Sequence, residues 1–264
     1  MSYECLILET DEEKGIAKIT LNRPEAMNSW NLQMAKEFLD AVRNLEDNRK
    51  IKALIITGSG GTFSTGADLK FVKRLLDEGF EAGAEMMKTI NEAFSSCEKT
   101  RLPVIAAVNG FALAGGLELV LCCDIVLMAD NARIGDYHAN FGLIPGGGGS
   151  QRLPRKIGDQ NAKYLLFTGR WVSAQEAKEM GLVTKVVPAD KLMEEAEKLA
   201  MKIGEKNPGG LKYMKYLANR SGDLPLEEGL KLEQEMFMKF VVEERENLVE
   251  GLTAFIEKRK PVFK

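Results

Sequence analysis

Hydrophobic and polar residues follow two different periods along the first two-thirds of the chain. Residues 16–21 alternate, with Ala17, Ile19 and Leu21 separated by polar neighbours, and this period of two predicts a strand. Short apolar runs bounded by turn residues predict further, buried strands. Apolar side chains at helical spacing in residues 32–47 predict an amphipathic helix. The predicted strands are 4–9, 16–21, 53–57, 103–110, 124–130 and 183–187.

Helical periodicity dominates the remainder of the chain. A long helical segment, 71–99, is expected to break near Gly79 and Gly83, and Ser173 with Glu176 forms a capping box at a helix start. Strands paired with helices, followed by helices alone, predict a mixed α/β fold with a helical tail. The apolar residues of the tail are most simply core: Leu226, Leu230, Leu232, Met236, Met238 and Phe240. The other predicted helices are 161–167, which residues 149–158 lead into, 189–205, 209–220, 226–241 and 244–257.

The chemistry concentrates where a strand runs through a glycine pair into an apolar helix. The first N–H groups of a helix have no intrahelical acceptor, and the helix dipole adds partial positive charge there. An oxygen that becomes negative during a reaction would be stabilised at Gly115 and Gly116. Glu118 lies in the first turn among leucines. A glutamate there often only complements the dipole, but a carboxylate with apolar neighbours favours a catalytic role.

His138 is the only histidine of the chain and follows Glu118 by 20 residues. An ordinary histidine pKa near 6.5 lets it give or take a proton at neutral pH. The alternative is a packed histidine with satisfied hydrogen bonds. Asp136 and Tyr137 are neighbouring candidates, and Tyr137 could donate a hydrogen bond or simply pack.

A second glycine-rich loop, residues 58–68, is not a phosphate loop of a known type. It lacks the Gly-Lys-Ser/Thr ending, because Ala67 stands where lysine is needed. It also lacks the dinucleotide spacing, because Phe63 stands where the third glycine should be. The loop therefore predicts only close approach of its backbone to a ligand.

Composition excludes several classes of function. A net charge of −3 gives no reason to expect binding to nucleic acid or to an anionic membrane. The four cysteines, two of them adjacent, match neither a disulfide framework nor a zinc site, so reduced thiols are expected. The N-terminus has no signal-peptide pattern, and no run is long enough to span a bilayer. A cytoplasmic protein is expected.

Five blocks resemble the crotonase superfamily, the enoyl-CoA hydratase/isomerase family, in the expected order over nearly the whole chain. They are LNRPEAMN (21–28), FSTGADLK (63–70), AVNGFALAGGLEL (107–119), GLIPGGGGSQRL (142–153) and FIEK (255–258). The resemblance implies a spiral of repeated β-β-α units in residues 1–200. It also implies a C-terminal helical region, 201–264, that assembles a homotrimer or homohexamer.

The resemblance also implies a binding site for an acyl-coenzyme A, which is a substrate, with no metal and no separate cofactor. Ala67 and Gly115 would supply the two N–H groups of an oxyanion hole. Further contacts to the substrate would come from the same segments, from Tyr137 and from a neighbouring subunit. These are Ala67, Asp68, Leu69, Lys70, Gly115 and Tyr137, with Phe255 and Lys258 approaching from the neighbour.

The chain departs from the family's two-glutamate pattern. Hydratases of the family hold a water between two glutamates; Glu118 matches the first, but His138 stands at the second. Δ3-Δ2 isomerases carry a glutamate at that second position, and dienoyl-CoA isomerases carry an aspartate where this chain has Gly146. The retained Glu118 favours hydration or dehydration of an α,β-unsaturated acyl-CoA, as in fatty acid metabolism, with Glu118 and His138 as the acid–base pair.

Other activities stay open on the sequence. They are an isomerase or hydrolase for a cyclic or branched acyl-CoA, and a scaffold that binds acyl-CoA without catalysis. Trp30 either shapes the acyl pocket or is an aromatic of the surface or the core.

Overall fold

The computed structural model describes residues 3–78 and 80–264. In these residues, the strands are β1 (Leu6–Asp11), β2 (Ile16–Leu21), β3 (Ala53–Gly58), β4 (Val104–Val108), β5 (Phe111–Leu113), β6 (Ile125–Ala129), β7 (Arg133–Gly135), β8 (Val172–Ser173) and β9 (Lys185–Val187). The helices are α1 (Leu32–Asp47), α2 (Leu69–Glu78), α3 (Phe80–Lys99), α4 (Gly115–Leu121), α5 (Gly149–Ile157), α6 (Asp159–Thr168), α7 (Ala174–Glu179), α8 (Leu192–Gly204), α9 (Pro208–Arg220), α10 (Leu226–Glu243) and α11 (Arg245–Glu257).

The strands form two sheets. The larger has the order β1-β2-β3-β4-β6-β9, with β1 antiparallel to β2 and every other pair parallel. The smaller has the order β5-β7-β8, with β5 parallel to β7. β4 and β6 are buried along nearly their whole length, which explains their continuous apolar sequences.

Successive turns of the chain give one strand to each sheet, so the backbone winds as a spiral. β4 in the larger sheet is followed at once by β5 in the smaller, and β6 is followed by β7. After β3, Ser64 takes the equivalent place through a parallel bridge to Ala112 of β5. Three turns therefore stack in register, and their smaller-sheet segments end side by side.

The predicted break in the long helix is only partly right. Gly79 lies outside the described residues. Gly83 lies inside α3, so the helix continues through it. A glycine costs a helix interior about 1 kcal/mol without necessarily ending it.

The prediction that the apolar tail residues are core is wrong. In α10, Leu226 and Met238 are 79% and 63% exposed, and no residue of that helix is buried. Leu230 is also exposed, whereas Leu232, Met236 and Phe240 are half-buried. The proposed boundary at residues 200 and 201 falls inside α8, which packs on the larger sheet, and the division into two regions stays a prediction.

The core lies between the larger sheet and helices α1, α3, α4 and α8. All four cysteines are buried as free thiols. Among the helices of the described residues, none combines the length and the apolar character that crossing a bilayer needs.

Candidate active site

Three neighbouring segments of the smaller sheet run parallel and carry the candidate residues to one edge. Ser64 N–H donates to Phe111 O at 2.9 Å, and Leu113 N–H donates to Ser64 O at 2.9 Å. On the other side of β5, Ala114 N–H donates to Gly135 O at 3.1 Å. The chain then continues from the three segments into Ala67, into α4 and into Asp136–His138. Parallel segments that end together bring these residues into one crevice.

The backbone N–H groups of Ala67 and Gly115 lie next to each other. A Cβ placed on Gly115 would be 3.1 Å from Gly66 Cα and 3.6 Å from Ala67 N. Within the described residues, the backbone hydrogen bonds give neither N–H a protein acceptor. Because Gly115 is the first residue of α4, its N–H also lies at the positive end of that helix.

Glu118 projects from the first turn of α4 and is 3% exposed. Its Oε1 accepts hydrogen bonds from Gly147 N–H at 2.7 Å and from Gly149 N–H at 2.8 Å. Burial raises the pKa of Glu118 above its ordinary value, although the two N–H donors and His138 oppose that shift. Since Gly149 is the first residue of α5, Glu118 also caps that helix.

His138 faces Glu118 with one ring nitrogen and Asp136 with the other. Nε2 lies 3.8 Å from Glu118 Oε2, and Nδ1 lies 3.0 Å from Asp136 Oδ2. Burial lowers the pKa of His138, but the hydrogen bond and negative charge of Asp136, together with the charge of Glu118, outweigh it and raise the pKa overall. Asp136 is therefore hydrogen-bonded to the ring, and Glu118 faces the other ring nitrogen across a gap longer than a hydrogen bond.

The glycines of residues 146–149 let their backbone approach Glu118 directly. A Cβ on Gly147 would lie 2.7 Å from Glu118 Oε2, and one on Gly149 would lie 3.2 Å from Oε1. Two side chains hold this loop: Asn91 donates to Gly146 O at 2.9 Å, and Arg152 donates to Gly147 O at 3.0 Å. Arg152 in turn forms a two-pronged pair with Glu98 of α3, at 2.7 Å for both contacts.

The other predicted site residues contact partners other than Glu118 and His138, or are exposed. Leu69 and Lys70 begin α2 and are exposed, and Asp68 pairs with Arg23 at 3.2 Å. Tyr137 is half-buried and packs edge-on against Phe141. Phe255 and Lys258 lie at the exposed end of α11, and a contact to another subunit's ligand stays a prediction.

Trp30 is completely buried, so of its two interpretations the structure favours packing. Its ring contacts Phe38 and Phe94 edge-on, with centroids 5.5 and 4.8 Å away. Phe94 itself borders Gly147, because a Cβ on that glycine would lie 3.0 Å from the phenyl ring. Through Phe94, Trp30 therefore supports the glycine loop, residues 146–149, whose N–H groups bind Glu118.

Sequence reasoning missed three contributors to the site. Gly147 and Gly149 act through backbone N–H groups, which any residue carries, and only their lack of a side chain signalled a close approach. Asp136 was noted only as a neighbour, yet it is 1% exposed and bonded to His138. Its spacing of two residues from the histidine was the available signal.

Comparisons with known proteins show similarity along nearly the whole chain. The family model for enoyl-CoA hydratase/isomerase matches residues 11–264. The chain is 41% identical to a probable enoyl-CoA hydratase of Mycobacterium bovis over 264 residues, covering 100% of this chain and 99% of that protein. It is also 41% identical to a crotonyl-CoA hydratase of Syntrophomonas wolfei over 266 residues, with the same coverage.

A solved structure matches at the level of the fold. The crystal structure of an enoyl-CoA hydratase from Bacillus anthracis superposes with a TM-score of 0.91 at 36% identity, over 99% of both chains. The predicted α/β fold of the crotonase type is thereby confirmed.

Proposed function

The chain belongs to the enoyl-CoA hydratase/isomerase family, and we propose that it adds water to an α,β-unsaturated acyl-CoA or removes it from the 3-hydroxyacyl-CoA. The observation that carries this proposal is the 3.8 Å approach of His138 Nε2 to Glu118 Oε2, beside the adjacent N–H groups of Ala67 and Gly115. Two proton-transfer groups next to an oxyanion hole are what water addition to a conjugated thioester requires.

The carbonyl oxygen of the thioester would accept hydrogen bonds from Ala67 and Gly115. It gains negative charge when oxygen adds to C3, and each donor aimed at that charge is worth about 3 kcal/mol. The α4 dipole adds to this stabilisation because Gly115 is the first residue of the helix.

Glu118 would take one proton from the water and His138 would supply the proton added to C2, while the second proton of the water stays on the new hydroxyl group. Glu118 Oε1 is held by two N–H donors, so Oε2 is the oxygen that takes a proton from the water as its oxygen bonds to C3. Protonated His138 gives its Nε2 proton to C2. Protonated Glu118 and neutral His138 remain, and a proton passing between Oε2 and Nε2 restores the starting state. Dehydration runs through the same steps in reverse.

The coenzyme A part of the substrate would lie along residues 67–70, a segment that begins with Ala67 of the oxyanion hole. Lys70 is exposed there and can meet a phosphate. In the proposed homotrimer or homohexamer, Phe255 and Lys258 of a neighbouring subunit would complete the site. Water addition has no net oxidation or reduction, so the proposed reaction uses no redox cofactor.

The test measures loss of the ultraviolet absorbance of the conjugated thioester with crotonyl-CoA and a panel of branched and cyclic enoyl-CoAs. We expect turnover by the native chain and a fall in kcat of about 100- to 10,000-fold in Glu118→Gln. Binding of the saturated butyryl-CoA, measured by calorimetry, should stay within a few-fold, because glutamine keeps the shape of the side chain.

Glu37→Gln is the matched control. Glu37 is also a buried carboxylate that accepts two backbone N–H bonds, from Glu4 and Cys5, but it lies on α1 away from the site. Its variant should retain full kcat. Release of free coenzyme A thiol would instead indicate a hydrolase, and ligand binding without turnover of any substrate would indicate a scaffold; either result contradicts the proposal. His138→Glu tests whether a second glutamate can replace the histidine.

A further inference from the structure

Both carboxylate oxygens of Asp136 contact the same residue, His138. Oδ1 accepts the backbone N–H of His138 at 3.2 Å, and Oδ2 faces Nδ1 of the same residue at 3.0 Å. The carboxylate follows directly after β7 and is 1% exposed. Burying a carboxylate is costly unless it is paired, and here the imidazole ring is the partner.

This contact determines which ring nitrogen faces the reacting atoms. A carboxylate oxygen can only accept, so the proton of a neutral His138 ring resides on Nδ1, and Nε2 carries the lone pair. Nε2 is the nitrogen that lies 3.8 Å from Glu118 Oε2. The other tautomer would put a lone pair against Asp136 and leave Nε2 unable to accept a proton.

We propose that Asp136 is the positioning residue of this site, which keeps Nδ1 of His138 protonated so that Nε2 exchanges protons with the substrate and with Glu118. The nature of the reaction rests on the function proposed above; the geometry does not. With Asp136 ionised, the Asp136–His138 pair carries a charge of zero when the ring is protonated and −1 when it is neutral. These are the charge states of one carboxyl group, so the pair can replace a carboxylic acid at this point of the site.

The charged groups around the ring set the pH range in which the pair works. Asp136 lies on the ring's own segment, Glu118 faces it from α4, and Arg152 on α5 interacts electrostatically with Glu118. Asp136 and Glu118 keep His138 protonated to a higher pH than an ordinary histidine. If the charge of Asp136 is removed, only Glu118 raises the pKa of His138 against the lowering effect of burial.

The first experiment is direct, because His138 is the only histidine. Nuclear magnetic resonance of the full-length chain with 13C,15N-labelled histidine gives the pKa and the tautomer of this ring without assignment. We expect a pKa above 6.5 and, at higher pH, a neutral ring protonated on Nδ1. In Asp136→Asn the pKa should fall and the tautomer preference should weaken or reverse.

Asp124→Asn is the matched control for these spectra. Asp124 is another hydrogen-bonded aspartate, which accepts from Val104 N–H and pairs with Lys215 at 2.7 Å. The charges that shift the pKa of His138 are those of Asp136 and Glu118, not that of Asp124. Asp124→Asn should leave the pKa and the tautomer of His138 unchanged. A native ring protonated on Nε2 would overturn the proposal even if Asp136→Asn does not fold.

The second experiment is kinetic. Asp136→Asn should lower kcat about 100-fold, change KM less than about threefold, and shift the alkaline limb of the pH profile to lower pH. In a His138→Gln background the same substitution should cost little more, because Asp136 acts through the ring. An equal loss in both backgrounds would overturn the proposal. If the chain hydrates no enoyl-CoA, the proposed function fails, but the spectra still decide the role of Asp136.

Discussion

At the scale of single residues, the two oxygens of Glu118 have different surroundings. Oε1 is fixed by the N–H groups of Gly147 and Gly149, whereas Oε2 faces His138. The pKa values of Glu118 and His138 both lie above their ordinary values of 4.5 and 6.5. The charge of His138 lowers the pKa of Glu118 against the effect of burial, and the charge of Glu118 helps to raise the pKa of His138, so an ionised Glu118 and a protonated His138 stabilise each other.

Ala114 carries the clearest backbone strain of the site. It precedes Gly115 with φ +49° and ψ −116°, a region outside the left-handed helical basin that suits glycine and not alanine. Its N–H is bonded to Gly135 O and its carbonyl accepts from Glu118 N–H. Such strain costs roughly 1–3 kcal/mol and persists only where neighbouring bonds enforce it. Here those bonds determine the orientation of the peptide that contains the Gly115 N–H.

Ala114→Gly should stabilise the fold, because glycine adopts this conformation without steric cost. We expect a net gain of about 1 kcal/mol after the larger entropy of the unfolded glycine is subtracted. The melting temperature should rise by roughly 2–4 °C, measured by circular dichroism. Ala112→Gly is the control: Ala112 is fully buried in β5 with ordinary backbone, so its substitution should lower the melting temperature. Equal losses in both variants would contradict the strain argument.

The sequence identified the side chains of the site but not their organisation. Glu118 among leucines and a single histidine downstream were visible as chemistry, and both lie together in the structure. The support from Gly147 and Gly149 was not visible, because it depends on contacts with Glu118 that span 29 and 31 residues along the chain. Such contacts are created by the spiral and leave no local periodicity.

At the scale of elements, α4 and the glycine-rich loop 58–68 pack backbone against backbone. A Cβ on Gly116 would lie 2.2 Å from Ser64 O, a distance at which one backbone must move. Asn28 fixes the opposite side of the loop by donating to Ser59 O and Thr62 O at 3.0 and 2.7 Å. The gap between Ala67 and Gly115 therefore depends on a glycine at position 116.

Gly116→Ala should destabilise the chain and weaken the oxyanion hole. Displacing backbone costs about 1–3 kcal/mol or more, so the melting temperature should fall by roughly 2–12 °C. Gly83→Ala, inside α3, meets no atom within 4 Å and should be neutral or stabilising by up to about 1 kcal/mol. Calorimetry measures the melting temperatures of both variants and of the native chain. A Gly116→Ala chain as stable and active as the native one would show that the contact is not critical.

The elements that sequence patterns missed are the shortest. β5 has three residues and β8 has two, so neither is long enough to show a period. Residues 111–113 are a strand because Ser64 and β7 supply hydrogen-bond partners on both sides. The long helices and the buried strands of the larger sheet were predictable, because each carries its own hydrophobic pattern.

At the scale of the whole molecule, the C-terminal helices show what one chain leaves uncovered. A cavity of about 810 Å³ between α9 and α10 is lined mainly by apolar side chains, among them Met214, Phe237 and Met238, each about 60% exposed. Helical periodicity in the sequence correctly gave an apolar face but not its partner, which is why a core was expected. Clustered exposed apolar side chains of this kind are typical of interaction sites.

We expect the chain to assemble through this face, in agreement with the proposed homotrimer or homohexamer. Three chains of 29.2 kDa give a trimer of about 88 kDa, which light scattering after size exclusion distinguishes from a monomer. Met238→Glu places a charge in the apolar face and should shift the mass toward 29.2 kDa. Met201→Glu, the same substitution on α8, should leave the mass unchanged. If Phe255 and Lys258 complete a neighbour's site, kcat/KM should fall together with the mass; a native chain that is monomeric would rule out that contribution.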